Sequence, residues 1–338
     1  MQEYQLIPAG NKNLVEVLGL QTFFKVNQPG NSIFKKPTFL KAVDNVDLTI
    51  PLGTTLGLVG ESGSGKSTVA RSILQLVKPT AGKVLFDGKD LCKLKSQTLR
   101  PLRKRMQIIF QDPYASLDPR QTIGFTVGEP LLLHNLCSKR EFRERVRSLL
   151  ELVGLNPDLE NRYPHEFSGG QRQRVGIARS LATNPDFIVA DEPISSLDVS
   201  IQAQILNLLN DLQKRLQLTY LFISHDLRAV RYLSDQVAVM YLGKVVEIAP
   251  TRQLFEKPAH PYTQLLLQSV PVARWESVHV EKEAIKGEVA GTSKPLVGCP
   301  FALRCPHVMD RCRNETPLLE PVKSEVGHKA ACFLIYNS

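Results

Sequence analysis

Residues Gly60–Ser67 fit the pattern GxxxxGK[ST] of a phosphate-binding loop. Glycines let successive backbone N–H groups turn toward an anion, and the start of the following helix adds a partial positive charge. In such a loop Lys66 reaches the terminal phosphates, and the Ser67 hydroxyl can ligate Mg²⁺. The alternative interpretation is a glycine-rich turn without a ligand, so the flanking segments matter.

Those flanking segments predict the strand and the helix that a phosphate loop requires. Leu56–Val59 is an apolar run typical of a buried strand. After the loop, Val69, Ile73, Leu74 and Leu76 lie near one helical face. A strand, a loop and a helix in this order indicate that the chain binds a nucleotide.

A second candidate group for chemistry is an acidic pair. Asp191 and Glu192 follow the apolar segment Phe187–Ala190, which is typical of a buried strand. An acidic residue at the end of such a strand, beside a phosphate loop, can hold the Mg²⁺ shell. Glu192 is then placed to polarise a water molecule. The alternative is an acidic pair that merely ends a strand.

A third group, Ser168–Gln171, reads Ser-Gly-Gly-Gln and precedes a helical pattern through Val175, Ala178 and Leu181. The start of a helix is a potential anion site, although Ser is also an ordinary N-cap. This group is too far along the chain to belong to the loop at Gly60–Ser67.

Composition limits the classes of protein that fit. The chain has 338 residues, a net charge of +9 and a pI near 9.2, which permits nucleic acid, lipid headgroups or a nucleotide as anionic partner. Its basic residues form short groups such as Arg100–Arg105 and Arg140–Arg147, which are typical of solvated helix faces. No run of 18 apolar residues occurs, and the polar segment Met1–Asn13 lacks a signal-peptide pattern. We therefore expect a soluble, intracellular protein, and six cysteines do not suggest a disulfide scaffold.

Patterns of strand and helix alternate along the chain. Alternation from Val46 to Ile50 predicts a strand, and Asp87-Gly88 predicts a hairpin turn. Further strands are expected at 108–110, 187–191, 220–224 and 236–240, and helices within 112–179 and 201–216. This order indicates an α/β fold with a parallel, covered sheet and a helical insert. Regularity fades after Ser269, and Val272–Gly298 is typical of a linker.

Beyond this linker the sequence contains four cysteines, spaced C-x₅-C-x₆-C-x₁₉-C: Cys299, Cys305, Cys312 and Cys332. Four thiolates can hold a [4Fe–4S] cluster or a tetrahedral zinc ion, although zinc usually prefers shorter loops. The cations that could offset the charge of a cluster are Arg304, Arg311, Arg313 and Lys329. The residues alone leave a cluster, a zinc site and free thiols equally open.

Taken together, these motifs resemble those of the ATP-binding-cassette (ABC) ATPases over nearly the whole chain. The matching segments are Walker A at Gly60–Ser67, the Q-loop glutamine Gln111, the signature Phe167–Gln171, Walker B ending at Asp191-Glu192, the D-loop Ser196–Asp198 and the switch histidine His225. Phe167 departs from the usual leucine, but both are apolar. The resemblance implies a P-loop ABC ATPase core with an N-terminal antiparallel β subdomain, a helical insert subdomain and a short cysteine-bearing C-terminal extension.

The resemblance also implies the residues of the ATP and Mg²⁺ site. Those that would bind ATP from the same chain are Phe24, Gly60, Ser62, Gly63, Gly65, Lys66, Ser67 and Thr68. Phe24 would stack on adenine, with Phe23 as the alternative. Those that would set Mg²⁺ are Ser67, Gln111 and Asp191. Glu192 would act as base or orienter for the attacking water, assisted by Gln111, and His225 would hold the γ-phosphate.

In this family two cassettes pair head to tail and enclose ATP between Walker A of one and the signature of the other. The residues expected to serve the opposite site are Ser168, Gly170, Gln171 and Asp198. Hydrolysis then depends on closure of the dimer.

Several segments are similar to the ATPases of dipeptide and oligopeptide permeases, and favour the one labelled F. They are residues 111–120, 163–172, 198–204 and 260–263. This likeness implies an energy-coupling ATPase for peptide import, peripheral on the cytoplasmic face of the plasma (inner) membrane. The implied partners are a second ABC ATPase in a heterodimer, two permease subunits and an extracytoplasmic substrate-binding protein, with no nucleic acid.

Two alternatives remain: a related importer of nickel or glutathione, and a soluble ABC ATPase that acts on nucleic acid or ribosomes. The second class usually shows tandem cassettes, whereas this chain has one. A permease partner would dock on the insert near Gln111–Arg120. We expect a nucleotide-binding domain at 1–270 with its insert at about 112–180, and an extension at 271–338. Within the resemblance, a [4Fe–4S] cluster becomes the leading interpretation of the four cysteines.

Overall fold

The computed structural model describes residues 12–26, 38–112, 114–269, 297–323 and 325–336. Its strands are β1 Asn13–Val26, β2 Thr38–Pro51, β3 Thr55–Val59, β4 Ala81–Phe86, β5 Lys89–Asp90, β6 Met106–Ile109, β7 Phe187–Asp191, β8 Thr219–Ile223, β9 Gln236–Tyr241, β10 Lys244–Pro250, β11 Glu320–Pro321 and β12 Lys329–Ala330. Its α-helices are α1 Lys66–Ile73, α2 Ser96–Arg103, α3 Ile123–Leu133, α4 Phe142–Leu152, α5 Gly169–Leu181, α6 Val199–Leu216, α7 Leu227–Leu233, α8 Thr251–Glu256, α9 Pro261–Gln268 and α10 Asp310–Asn314.

These residues cluster into two compact units. The described residues of the first unit fall within 12–18, 48–55 and 83–222, and those of the second within 19–47, 56–82 and 223–336. The first therefore contains the helical insert and the second contains the phosphate loop together with the cysteine-bearing tail. The expected linker, up to residue 296, lies outside the described residues.

In the first unit the strand order is β8-β7-β6, and β6 runs parallel to β7. All five residues of β7 are buried, which explains why this strand reads as an apolar run. Ile109 lies opposite Ala190 in the register. The chain therefore leaves both strands at the same edge, and Gln111 and Glu192 follow neighbouring strand ends.

The expected helical insert is confirmed as a bundle of α3, α4 and α5. Gly128 allows α3 to approach α4 closely, since a Cβ there would lie 2.3 Å from the ring of Phe142. Glu160 is buried, and its carboxylate pairs with Arg143 at 2.7 Å and with Arg147 at 3.3 Å. Helix α3, the first of the bundle, begins at Ile123, within the segment 112–179 where helices were expected.

In the second unit the strand order is β11-β12-β10-β9-β3. Parallel pairing joins β3 to β9, whereas β9, β10, β12 and β11 pair antiparallel. The tail thus adds two short strands to the sheet, with Ala330 opposite Glu247. Glu247 is fully buried, and its carboxylate accepts hydrogen bonds from the N–H groups of Ala259 and His260 and pairs with the His328 ring.

A four-stranded sheet with the order β2-β1-β4-β5 confirms the N-terminal β subdomain. Strands β4 and β5 form the predicted hairpin, in which Asp87 and Gly88 both have positive φ. On β2, Val46, Leu48 and Ile50 are buried, as their alternation predicts. No helix of the part that the structure describes is long and apolar enough to cross a membrane.

Candidate functional site

The phosphate loop joins β3 to α1 in the second unit. Gly60, Gly63 and Gly65 all have positive φ, a backbone angle that residues with a side chain rarely adopt. A Cβ at Gly60 would lie 2.2 Å from the Met240 carbonyl oxygen, and one at Gly65 would lie 2.2 Å from that of Ala42. The glycines are therefore required by backbone packing as well as by their torsion angles.

Lys66 opens α1, and its side chain folds back over the loop. Its ammonium donates hydrogen bonds to the carbonyls of Gly60 at 2.8 Å and Glu61 at 2.9 Å, and the residue is 6% exposed. Ser67 and Thr68 follow in the first turn, where helix N–H groups lack partners within the helix. Ser62 and Gly63 are exposed at the tip of the loop. This arrangement presents backbone N–H groups and one cation to an anion.

Glu61, the second residue of the loop, is held by residues that are far away in sequence. Its carboxylate accepts two hydrogen bonds of 2.9 Å from the Arg304 guanidinium, and its N–H donates to the Tyr262 hydroxyl at 2.9 Å. The carboxylate raises the pKa of Arg304 above its usual range. The sequence pattern places Arg304 among the cations around the cysteines and gives no sign of a role for Glu61. No local signal could have linked residues 243 positions apart.

Two further expected nucleotide residues belong to the second unit. Phe24, on β1, is 40% exposed, so its ring can take a stacking partner. The neighbouring Phe23 already has the Lys41 ammonium over its ring, 5.3 Å from the centroid. This contact favours Phe24 over Phe23 as the residue open to a base. His225 is exposed in the turn between β8 and α7.

The first unit brings the Q-loop glutamine to the expected catalytic carboxylate. The Gln111 amide Nε2 donates to Glu192 Oε2 at 3.0 Å. Asp191, at the end of β7, is 4% exposed. Glu192 has a φ of 49°, a left-handed conformation that costs a residue with a side chain about 1 kcal/mol or more. Such local strain often marks a functional position.

The signature segment forms a capped helix start in the first unit. Ser168 Oγ accepts the Gln171 N–H at 3.3 Å, and Gln171 Oε1 accepts the Ser168 N–H at 2.9 Å. These bonds bear out the N-cap interpretation of the sequence. Gly170 packs so closely that a Cβ would lie 2.5 Å from Ile201 Cγ2. Phe167 is 5% exposed, so the residue that departs from the usual leucine fills an apolar site.

Arginines of α5 anchor the segment that follows Gln111. Arg179 donates to the Ser116 carbonyl at 2.7 Å and lies over the Phe110 ring at 6.0 Å. Arg172 lies 5.4 Å from the ring centroid of Tyr114. The helix that begins at the signature therefore holds the Q-loop segment in place.

Two other expected residues lie at the surface. Asp118 pairs with Arg120 at 3.2 Å, and hydrogen bonds from Arg120 lower the pKa of Asp118. Asp198 precedes α6 and is exposed, and its backbone carbonyl accepts the N–H groups of Ile201 and Gln202.

The four tail cysteines line one cavity in the second unit, together with Phe301, His307 and Phe333. None of the four forms a disulfide. Burial raises the pKa of Cys299 to about 11 and also raises the pKa values of Cys305 and Cys332. Within residues 12–26, 38–112, 114–269, 297–323 and 325–336, no group of three or more His, Cys, Asp or Glu side chains is arranged to hold a metal ion. The expected metal cluster is therefore unconfirmed, although the cysteines converge.

Comparison with known proteins places this geometry in a family. A family profile described as ABC transporter matches residues 43–195, and one described as oligopeptide/dipeptide transporter, C-terminal region, matches residues 246–312. The chain is 48% identical to the oligopeptide transport ATP-binding protein AppF of Bacillus subtilis over 96% of this chain and 98% of that protein. It is 52% identical to a putative peptide import ATP-binding protein of Brucella ovis over 87% of this chain and 92% of that protein.

A solved structure supports the same assignment. It is a dimeric ATP-binding cassette in a post-hydrolysis state with ADP and phosphate bound, 31% identical, with a TM-score of 0.62. The match covers 70% of this chain and 99% of that chain. The chain therefore belongs to the ATPases of ABC transporters, in the group that carries the oligopeptide/dipeptide transporter C-terminal region.

Proposed function

We propose that this ATPase is the energy-coupling subunit of a membrane importer for di- and oligopeptides. It acts peripherally on the cytoplasmic face of the membrane, where importer ATPases meet their permeases. The functions named for its relatives and the match of its tail to the oligopeptide/dipeptide family support this cargo. The observation that carries the ATPase assignment is the contact of Gln111 with Glu192 beside the buried Asp191.

ATP is bound by the phosphate loop and by Phe24. The backbone N–H groups around Gly60, Ser62, Gly63 and Gly65 receive the phosphates, and Lys66 leaves its carbonyl partners to contact the terminal ones. Ser67 and Thr68 add hydroxyl and N–H donors at the start of α1. Support comes from the positive φ values of the loop and from the exposure of Ser62 and Phe24.

The family resemblance would assign Mg²⁺ to the oxygen donors of Ser67, Gln111 and Asp191, because this ion prefers hard oxygen ligands. The bound ion would neutralise charge on the phosphates. Glu192 accepts a proton from the attacking water or orients it, and Gln111 holds the Glu192 carboxylate. His225 contacts the γ-phosphate. Hydrolysis then depends mainly on positioning and electrostatics.

A second cassette completes the site. Ser168, Gly170, Gln171 and Asp198 serve the ATP of the opposite cassette, and the exposure of Ser168 and Asp198 supports this role. The related cassette of known structure is itself a dimer. We infer that the chain forms a heterodimer with a second ABC ATPase. The further partners that we infer are two permease subunits and an extracytoplasmic substrate-binding protein. The pair of half-buried Asp118 and exposed Arg120 is the proposed contact of the insert with a permease.

The domain limits stay a proposal: a nucleotide-binding domain at 1–270, with the insert at about 112–180, and an extension at 271–338.

A [4Fe–4S] cluster on Cys299, Cys305, Cys312 and Cys332 is proposed for the extension. The four thiols around one cavity support this, because soft sulfur donors suit such a cluster. A bound cluster would cross-link the loops of the tail and would require the thiols to lose their protons.

The experiment that tests the function is reconstitution with the permease subunits and the partner ATPase. ATP hydrolysis is measured with the binding protein loaded with peptide, nickel or glutathione. Stimulation by peptide alone supports the proposal, and stimulation by nickel or glutathione would reassign the cargo. Hydrolysis that responds to nucleic acid or ribosomes, but to no loaded binding protein, would contradict an importer.

A further inference from the structure

We propose that Arg304 of the cysteine-bearing tail is a positioning residue for the phosphate loop, and that it sets the affinity for ATP by neutralising and holding Glu61. This inference rests on the proposed function, because it concerns the same ATP site. It assigns to the tail a part in nucleotide binding that acts through Glu61.

The contact between Arg304 and Glu61 is a two-pronged ion pair. Both terminal nitrogens of the guanidinium donate, one to each carboxylate oxygen and each at 2.9 Å. The Arg304 side chain is 9% exposed, so solvent screens the pair poorly. Bidentate pairs of this kind fix orientation as well as charge. The pair therefore sets where the second residue of the phosphate loop lies.

Three polar groups of Glu61 connect it to Lys66 or to the C-terminal segments, and its carbonyl also accepts the Ser64 N–H within the loop at 3.2 Å. Its carbonyl accepts from Lys66, and its N–H donates to Tyr262 of α9. Its carboxylate binds Arg304. Lys66 and Arg304 thus act on the same residue, one from the site and one from the tail.

A buried aromatic cluster makes the anchor of Arg304 rigid. Phe301 of the tail is 1% exposed. Its ring centroid lies 5.3 Å from that of Tyr241 and 5.4 Å from that of Tyr262. The N–H of Arg304 donates to the Phe301 carbonyl at 3.0 Å in the same turn. The Tyr241 hydroxyl accepts from Arg304 at 3.3 Å. The guanidinium is therefore aimed at the loop by a packed core rather than by a free side chain.

The charge of Glu61 explains why this matters for ATP. A carboxylate beside a loop that binds phosphates repels them, and the guanidinium cancels that charge. Without Arg304, Glu61 would become an unpaired anion at the start of the loop. The Glu61 carbonyl, which accepts from Lys66, would also be held less firmly, because the side chain of Glu61 would no longer be anchored by Arg304.

The test measures equilibrium binding of a fluorescent ATP analogue to the full chain and its R304A, R304K, E61Q and R304A/E61Q variants. We expect R304A to weaken binding about tenfold, the size of effect when one charge-assisted pair is lost. R304K should weaken it less, because one cation remains. R304A/E61Q should bind within about threefold of the parent chain, since the unpaired charge is gone.

The ion pair between Lys257 and Glu325 provides a matched control. In this pair Lys257 Nζ lies 2.8 Å from Oε1 of Glu325 in the tail. Lys257 is 71% exposed, and the pair has no described contact with the phosphate loop. K257A should bind the analogue like the parent chain. In the reconstituted transporter, R304A should raise the KM for ATP about tenfold with little change in kcat.

Each outcome decides. Unchanged binding by R304A would overturn the inference, and so would R304A/E61Q binding as weakly as R304A, which would indicate a structural role only. If R304A does not fold, the comparison of R304K with R304K/E61Q decides in the same way. A parent chain that binds no ATP would instead contradict the proposed function.

Discussion

The amide of Gln111 donates a hydrogen bond to the carboxylate of Glu192 over 3.0 Å, which joins the residues that follow two neighbouring parallel strands. Gln111 also begins the segment that leads into the helical insert. We therefore propose that a movement of the insert would be transmitted to the carboxylate that we assign to the attacking water. In this proposal, docking of a permease at the insert would act on catalysis through the contact between Gln111 and Glu192.

The first prediction concerns Glu192. E192Q should lower ATP turnover in the reconstituted transporter by at least about a hundredfold, because the amide cannot take a proton from water. Binding of ATP should persist, since the phosphates have other partners. E256Q, which changes an exposed carboxylate of α8, is the control and should turn over normally. Normal turnover by E192Q would remove Glu192 from the mechanism.

The second prediction concerns Arg179, whose guanidinium holds the Ser116 carbonyl and covers the Phe110 ring. R179A should lower the free energy of unfolding by about 1–3 kcal/mol, because the part-buried hydrogen bond from Arg179 to the Ser116 carbonyl is lost. It should also reduce the stimulation of ATP hydrolysis by the permease more than basal hydrolysis. Urea unfolding and the ratio of stimulated to basal rates check these two effects. R179K should restore part of the stability and part of the stimulation. An equal loss of the stimulated and the basal rate in R179A would argue against a coupling role.

The strands and motifs near the nucleotide could be predicted from the sequence, because local patterns determine them. The run Thr55–Val59, the glycine torsions of the loop and the hairpin at Asp87-Gly88 all arise from residues close together in the chain. Even the cap at Ser168 follows from a local pattern.

The role of the tail could not be predicted in this way. The Arg304–Glu61 pair and the buried carboxylate of Glu247 depend on residues that meet only after the sheet forms. Composition around the cysteines suggested that Arg304 balances a cluster, whereas its charge is paired with the phosphate loop. Long-range pairing of this kind leaves no period or motif in the sequence.

The third prediction concerns His260, which is buried beside Glu247 and caps α9 by accepting the Tyr262 N–H at 3.0 Å. Burial lowers the pKa of His260 to about 4, although Glu247 acts in the opposite direction. In the unfolded chain the pKa is about 6.5, so the unfolded state binds more protons between these values. Stability should be constant above about pH 6.5 and fall as pH decreases toward 4.

The expected loss for His260 between pH 7 and 5 is about 2 kcal/mol of unfolding free energy. Urea unfolding at the two pH values measures it. H260N keeps a capping oxygen but cannot titrate, so its stability should depend less on pH by that amount. An equal pH dependence in H260N would show that other groups are responsible.

The fourth prediction concerns the tail cysteines. Protein prepared without oxygen should contain about four irons and absorb visible light, as four cysteine ligands support a cubane cluster. C305S should lose both the iron and the colour, while the control C137S, in the helical insert, should retain them. A colourless protein that holds one zinc would replace the cluster with a zinc site, and a protein without metal would leave the four residues as thiols.

The most direct test of the central claim is uptake of a labelled oligopeptide into proteoliposomes that contain the assembled transporter, enclosed ATP and external binding protein. We predict uptake that requires ATP, with transport and hydrolysis lost together in K66A and E192Q. The control K78A, an exposed lysine after α1, should transport normally. Peptide uptake that continues in both K66A and E192Q would contradict the account.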